Sequence, residues 1–524
     1  MSDQYDAIVI GAGLSGLSSA LSLSQKGLRV LLLEQHNVPG GCASSFRRGR
    51  FEFEAALHEF CAFGTKDNLG YAGDLLVNEY GIDVDARPCP DLFRAIFTAR
   101  SGKYYDVRLD YGEEGFKSSL LTAVPGCEKA IDQFLSLCKE SYEVSSYFDR
   151  HMFDKKKRNG DVKISSLHFA KHYLRYLQVA EVPFNTVLRK IGMPEDAIDI
   201  LDCYRVYLGM DPEEESFTRM STMIYSYIVY KPAVIAPNSH ALSSAMLARF
   251  KELGGTAYFG VKANEITADE DGHITGVDTD HGHFTSQQVI ANSYPNVVYS
   301  KLLSKNVKVP AREKKRTHLA KISSRFLNVY LGLNRSAKEL GIEDYTLFFP
   351  GDLRQKRSGK TPLDYHDIAA TAYNLAIPEI SPEGTSILTL TLEYKDDVWG
   401  SVSEEDYFRL KEEVTKKAIA DYEATTGIVI TPYIEEVEIA TPWTFSRYLS
   451  SPEGAVYGLR FDRTNTILSM LIGLRRDQPI PGLKITGASG PRGDGFSQTI
   501  VCGHDVAELT YEEIQSRRKK HGKQ

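Results

Sequence analysis

The stretch "YDAIVIGAGLSGLSSALSLSQKGLRVLLLEQ", Tyr5 to Gln35, constrains the chain more than any other. Ala7 to Ile10 is a short β-branched run of the kind a buried parallel strand requires. It leads into Gly11, Gly13 and Gly16, spaced GxGxxG. The first glycine permits a tight turn, the second lets a pyrophosphate approach the backbone, and the third lets the following helix pack closely on the strand. That helix is predicted to start near Leu14, to bury Leu17, Ala20, Leu21 and Leu23, and to end at Gly27. Its open N-terminus favours phosphate. A second strand, Arg29 to Glu34, ends in an acid suited to ribose hydroxyls. Strand, glycines, helix, strand and acid in this order predict a dinucleotide site. They do not separate NAD from FAD, but the acid disfavours NADP, whose extra phosphate it repels.

Later segments extend the same pattern. "HNVPGGCASSF" supplies a second glycine pair, Gly40 and Gly41, directly after the acid. Asn238 to Ile266 reads as a helix, a Gly254-Gly255 turn and a strand, and Gly272 to Ser293 as a hairpin followed by a strand returning to the nucleotide fold. Leu483 to Leu509 reads as a strand, a glycine-rich turn containing Gly487, Asp494 and Gly495, and a helix. Three separated segments are thus expected to build one nucleotide domain.

This arrangement resembles the amine-oxidase-like flavoproteins, in particular their carotenoid desaturase, carotenoid isomerase and retinol saturase branch. "TPWTFSRYLSSPEGAVYG", Thr441 to Gly458, resembles the retinol saturase side most. The resemblance implies an α/β fold, with a Rossmann-like FAD-binding domain assembled from discontinuous segments and an α+β substrate domain. The expected segments are 1–66, 231–304 and 440–512 for FAD, 67–230 and 305–439 for substrate, and a basic tail at 513–524, in which "SRRKKHGKQ", Ser516 to Gln524, is expected to be disordered. By the same resemblance Gly11, Gly13 and Gly16 hold the pyrophosphate, Glu34 the ribose, Gly40 and Gly41 the cofactor from its other side, and the Val261 backbone the adenine. Gly487, Asp494 and Gly495 approach the ribityl chain or phosphate, and Phe496, Gln498 and Thr499 start a helix whose N-terminus faces the flavin. Asn238 and Ser239 stand where relatives carry glycines, which sets aside close backbone contact at that turn.

The implied activity is saturation, desaturation or flavin-assisted isomerisation at a carbon–carbon bond of a hydrophobic, unsaturated substrate such as a carotenoid, retinoid or lipid, with double-bond reduction first. The rivals are an amine or amino-acid oxidase and a flavin-containing lipid carrier without catalysis. His58 and Tyr448 are the candidate catalytic residues; His58, Glu59 and Cys61 are placed to reach the active site, and His58 reads either as a proton donor near neutral pH or as a satisfied core or flavin-shielding histidine. The tyrosines Tyr204, Tyr207, Tyr225, Tyr227 and Tyr230 read either as an aromatic substrate wall or as ordinary core. Cys502 reads as a buried thiol, with a covalent flavin link as the alternative. No second GxGxxG follows Gly64, so the electron donor or acceptor stays open: oxygen, a quinone, a carrier protein or a transient nicotinamide.

Composition removes other classes. No apolar run approaches the roughly 18 residues of a membrane span, mean hydropathy is -0.28, and the N-terminus lacks a signal-peptide pattern. The expected location is therefore cytoplasmic. The basic, amphipathic stretch Asp154 to Val182 is a candidate for peripheral membrane contact. A formal charge of -7 gives no general attraction to nucleic acid, and seven cysteines without a CxxC pair give neither a disulfide framework nor a zinc site. His281 and His283 lack a third ligand and read as an exposed hairpin rather than a metal site.

Overall fold

The computed structural model describes residues 4–56, 58–65, 68–152, 173–209, 211, 213–355, 359–460 and 479–521, with side chains left out at 146–152. Among these residues, five strands form a parallel sheet in the spatial order Thr256–Phe259, Val30–Glu34, Ala7–Ile10, Val289–Ala291, Leu483–Ile485. Each strand comes from a segment expected to belong to the nucleotide fold. The chain leaves this sheet and returns to it twice, which is why the pattern is scattered along the sequence.

The first helix, Leu14–Gln25, lies between this sheet and the last helix, Phe496–His521. It is buried all round, not on one apolar face, from Leu14 to Ser24. Its serines make this possible by hydrogen bonding across the contact. Ser18 Oγ donates to the Ile500 carbonyl at 2.6 Å and Ser19 Oγ to the Gly503 carbonyl at 2.8 Å. A Cβ on Gly503 would stand 2.2 Å from the Ser15 carbonyl oxygen, so the two backbones touch. Gly27, at φ +74°, follows the helix end as expected.

A second, mixed sheet of seven strands runs in the order Ile434–Ala440, Arg325–Leu333, Ser386–Tyr394, Asp367–Ala372, Thr346–Asp352, Phe93–Thr98, Tyr104–Leu109. Its central strands alternate strictly, and pairing keeps like with like. Asn328 faces Thr391 and Tyr330 faces Thr389 on one side. Leu388, Leu390 and Leu392, with Leu327, Val329 and Leu331, fill the other side, against Val414, Ala418 and Tyr422 of the helix Glu404–Thr426. Both faces are buried: every residue of Ser386–Tyr394 is withdrawn from solvent. A buried polar face needs partners or a ligand, and this one looks into the cavity described below.

The three strands Ala263–Ala268, Ile274–Thr279 and Gly282–Thr285 form a small antiparallel sheet. His281 and His283 sit on its exposed hairpin beside Asp280 and Asp278. No cluster of His, Cys, Asp and Glu suited to a metal occurs among the described residues. No described helix is long and apolar enough to cross a membrane. Most of the candidate membrane-contact stretch, 153–172, lies outside the described residues.

The expected disorder of the tail is corrected for its described part, up to His521. The last helix continues to His521 because residues past 513 have partners. Glu513 binds Lys484 and Arg517 at 2.5 and 2.6 Å, Arg518 reaches Asp6 at 2.6 Å, and Ile514 is buried.

Candidate functional site

At the end of the first strand the chain turns sharply at Gly11, whose φ of +94° favours glycine. A Cβ on Gly16 would lie 1.9 Å from the Gly11 carbonyl oxygen, and one on Gly13 would lie 2.8 Å from Asn292 Nδ2. Gly13 caps the first helix with no side-chain bond, leaving the first N–H groups free to face an anion. Gly40 N donates to the Ala12 carbonyl at 2.8 Å, which lays the second glycine pair across the first. Ser15 Oγ lies 2.6 Å from Thr486 Oγ1 and accepts from Gly487 N at 3.1 Å, tying the C-terminal turn to the same helix start. The cradle is thus built from four segments.

Glu34 stands at its edge. Its Oε2 accepts from Ala12 N at 2.6 Å and its Oε1 from His36 N at 2.8 Å, so the carboxylate is fixed before any ligand arrives. Val261 N donates to the Glu34 carbonyl at 2.9 Å, which places the Val261 backbone alongside.

From this cradle one cavity of about 1460 Å³ runs through the molecule. It exceeds the about 300–1,000 Å³ of a single small-ligand site. Gly11, Gly13, Glu34, Gly40, Gly41, Val261 and Gly487 line one part, and Gly495, Phe496 and Thr499, at the start of the last helix, line another. Beyond them it opens over the polar side of the seven-stranded sheet, against His58, Tyr207, Phe326, Asn328, Thr371 and Thr391. Gly16 lies beneath the cradle, where close packing requires it.

Several expected positions differ. Asp494 and Gln498 are not part of the cavity wall. Both Asp494 oxygens accept from Arg219 Nη2, at 2.5 and 2.6 Å, and Arg219 also binds Glu215 at 3.2 Å. Asp494 therefore anchors the turn before the last helix to the helix Phe217–Tyr230 and lies off the cavity wall. Tyr448 is 56% exposed and meets His36 edge-on at 5.5 Å. It belongs to the Glu34 end, because the helix Pro442–Leu449 crosses there, and not to the chamber over the sheet.

His58 does line that chamber, but not as a charged donor. Its Nδ1 lies 2.8 Å from Tyr373 Oη and its Nε2 3.2 Å from Thr391 Oγ1. One edge opens on the cavity while the surrounding protein desolvates the ring, and this burial pushes its pKa down to about 4. The imidazole is neutral at pH 7. Its neighbour Glu59 is fully buried and moves the other way: burial pushes it up to about 7. Cys502 is buried with Thr486 Oγ1 3.4 Å from its sulfur and lies off the cavity wall. Of the tyrosine group, Tyr204, Tyr225 and Tyr227 are core, and Tyr207 alone reaches the cavity.

Sequence reasoning missed Asn292, Arg219 and Ser15. Asn292 follows the strand Val289–Ala291 and sets its amide 3.5 Å from the Gly11 carbonyl, beside Gly13 and Gly487. A polar residue directly after a buried strand was its signal.

A family profile for an NAD(P)-binding Rossmann-like domain matches residues 9–70. All-trans-retinol 13,14-reductase of Danio rerio is 25% identical over 520 residues, spanning 93% of this chain and 82% of that protein. Prolycopene isomerase 2, chloroplastic, of an Oncidium hybrid cultivar is 24% identical over 529 residues, spanning 96% and 84%. The chain resembles the carotenoid isomerase and retinol saturase branch along nearly its whole length. Among solved structures, an oxidoreductase from Methanosarcina mazei superposes with a TM-score of 0.61 at 15% identity, covering 97% of this chain and 99% of that one. Putrescine oxidase bound to putrescine gives 0.63 at 14% identity, covering 98% and 99%. The Rossmann-like α/β fold, joined to a second mixed sheet, agrees with the expectation. So does the site's fitness for a dinucleotide, since side chains at Gly11, Gly13 or Gly16 would collide with Asn292 or the Gly11 carbonyl and push the turn out of shape.

Proposed function

We propose that the protein is an FAD-dependent oxidoreductase that reduces a carbon–carbon double bond in a hydrophobic, unsaturated substrate of retinoid or carotenoid type. The observation that carries this reading is the single cavity joining a dinucleotide cradle to a chamber lined by Tyr207, Phe326 and His58. The similarity in sequence to a retinol reductase and a prolycopene isomerase supports it. In this reading Gly11, Gly13, Gly16, Gly40 and Gly41 hold the pyrophosphate, Glu34 the ribose and the Val261 backbone the adenine. Gly487, Gly495, Phe496 and Thr499 border the flavin, and Asn292 supports the cradle from below. Residues 67–230 and 305–439 supply the substrate side.

A bound flavin supplies two-electron exchange with carbon. The chain's own contribution is positional. The first helix turn and the glycine backbones fix the cofactor, the aromatic walls align the substrate bond, and the buried sheet behind them keeps water from that side.

The test is the absorption spectrum of the purified protein, followed by solvent extraction and mass spectrometry. A two-band flavin spectrum with released FAD and an unsaturated lipid is the expected result. Hydrogen peroxide production with an amine, and no unsaturated substrate accepted, supports the oxidase reading instead. A protein that neither contains nor takes up FAD removes both.

A further inference from the structure

Reducing a double bond needs a proton as well as hydride, and the imidazole expected to give it is neutral and already engaged. Behind the chamber wall stands a different acid. Glu59 Oε1 accepts from Tyr207 Oη at 2.9 Å and from the hydroxyl of Thr346. The carboxyl is 7% exposed and does not reach the cavity, whereas Tyr207 lines it. The Tyr207 ring is held from two sides, stacked on Tyr227 at 5.8 Å and edge-on to Phe348 at 5.3 Å. A carboxyl group is thus connected to the chamber by one phenol hydroxyl in a fixed position.

We propose that Glu59 is the proton source for the reduction, working through the hydroxyl of Tyr207, which touches the substrate. This rests on the double-bond reduction proposed above. The π pair of the bond becomes the new bond to the proton at one carbon, while the other carbon takes hydride from reduced flavin. In the reactive state Glu59 is protonated and donates across the same contact to the Tyr207 oxygen, whose own hydrogen turns to the substrate; as the C–H bond forms, the Tyr207 O–H bond breaks, its oxygen keeps the electron pair and takes the proton of Glu59. No isolated tyrosinate forms, so the weak acidity of the buried phenol is not the limit. Glu59 is left as a carboxylate and regains its proton from solvent before the next turnover. The double bond gains two hydrogens and two electrons in all.

The surroundings suit an acid that is protonated at neutral pH. Burial is the main cause of its shift to about 7, and the nearby charge of Asp91 adds to it, while Thr346 and Tyr207 oppose it. Asp91 is itself held by the N–H groups of Tyr345 and Thr346, at 2.8 and 3.4 Å. The other titratable groups that feel Glu59 are Cys61, Cys89 and Tyr204, Tyr207, Tyr227 and Tyr345. Tyr111 and Tyr373 complete the set. Burial raises all of these, so they stay neutral in the working range and leave Asp91 as the charged member of this group.

The experiment uses flavin-loaded protein reduced without oxygen and mixed with all-trans-retinol, with flavin reoxidation followed from pH 5.5 to 9. Wild type is expected to slow about tenfold per pH unit above about 7. Glu59→Gln is expected to lose about 100-fold in rate and its pH dependence, with flavin still bound. Tyr207→Phe is expected to lose rate equally. Infrared difference spectra then separate the two roles: Glu54, Asp202 and Glu393 are also pushed up to about 8, 7 and 8, so each spectrum is read against that of Glu59→Gln, and one further carboxylic C=O band that titrates near neutral pH is expected in wild type and Tyr207→Phe. A merely structural Glu59 would change melting temperature but neither the pH profile nor this assignment. Variants that keep the wild-type rate and profile overturn the proposal, as does a missing band. Wild-type protein that neither retinol nor a carotene reoxidises removes the reduction reading itself, a result distinct from turnover that both variants share.

Discussion

Gly16→Ala tests the cradle at its tightest point. The new Cβ would lie 1.9 Å from the Gly11 carbonyl oxygen, against the 3.0 Å below which real Cβ contacts essentially do not occur. The helix start must therefore retreat from the strand end by about 1 Å, a displacement of the size that costs about 100-fold when it misplaces a bound group. The helix cannot retreat freely, because its far side is in backbone contact with the last helix through Ser15 and Gly503. Overpacking of this kind costs about 1–3 kcal/mol of stability. Gly27→Ala is the control: its φ is +74° but no atom stands within 4 Å of the new Cβ, leaving only a left-handed backbone penalty of about 1–2 kcal/mol. Flavin content per chain and thermal unfolding of both variants give the answer. Gly16→Ala is expected to lose most of its flavin, and Gly27→Ala to keep it at similar stability. Wild-type flavin content in Gly16→Ala refutes the reasoning.

Other positions test the remaining parts. Asn292→Leu keeps the volume beside Gly11 and Gly13 but removes the amide, and flavin affinity measured by fluorescence titration should fall about tenfold, the worth of one hydrogen bond. Arg219→Met leaves Asp494 and Glu215 buried without their cation, and urea unfolding should show a loss of about 3–5 kcal/mol. Burial pushes Glu54 up to about 8 even though Ser239 donates to it. The folded state thus holds a proton that the unfolded chain releases near 4.5, so stability declines as pH rises through this window, by at most about 1.4 kcal/mol per unit. Glu54→Gln should flatten that decline.

The nucleotide half was legible because its signals are local. Strand, turn glycines, helix and acid lie within residues 7–34, and each obeys a rule of backbone sterics or charge that holds wherever the segment sits. The chamber was not, because its contacts span the chain. Glu59 meets Tyr207 148 positions on, and Arg219 meets Asp494 275 positions on. The strand Ser386–Tyr394 buries its threonines as well as its leucines, because the polar face looks into the cavity and not out to bulk solvent. The choice between the two readings of His58 was closed to sequence for the same reason: sequence carries the residue's ordinary pKa, and only the packed surroundings set the real one. The serines of the first helix read as a polar side until a second helix is seen to accept their hydrogen bonds.

The central claim is two-hydrogen reduction of a double bond at this cavity. The most direct measurement is a single anaerobic turnover of reduced, flavin-loaded protein with all-trans-retinol in D₂O, with the product analysed by mass spectrometry. The account predicts flavin reoxidation in step with a dihydro product that carries the added hydrogens on adjacent carbons. Reoxidation by oxygen alone, with retinol and carotenes recovered unchanged, would contradict it.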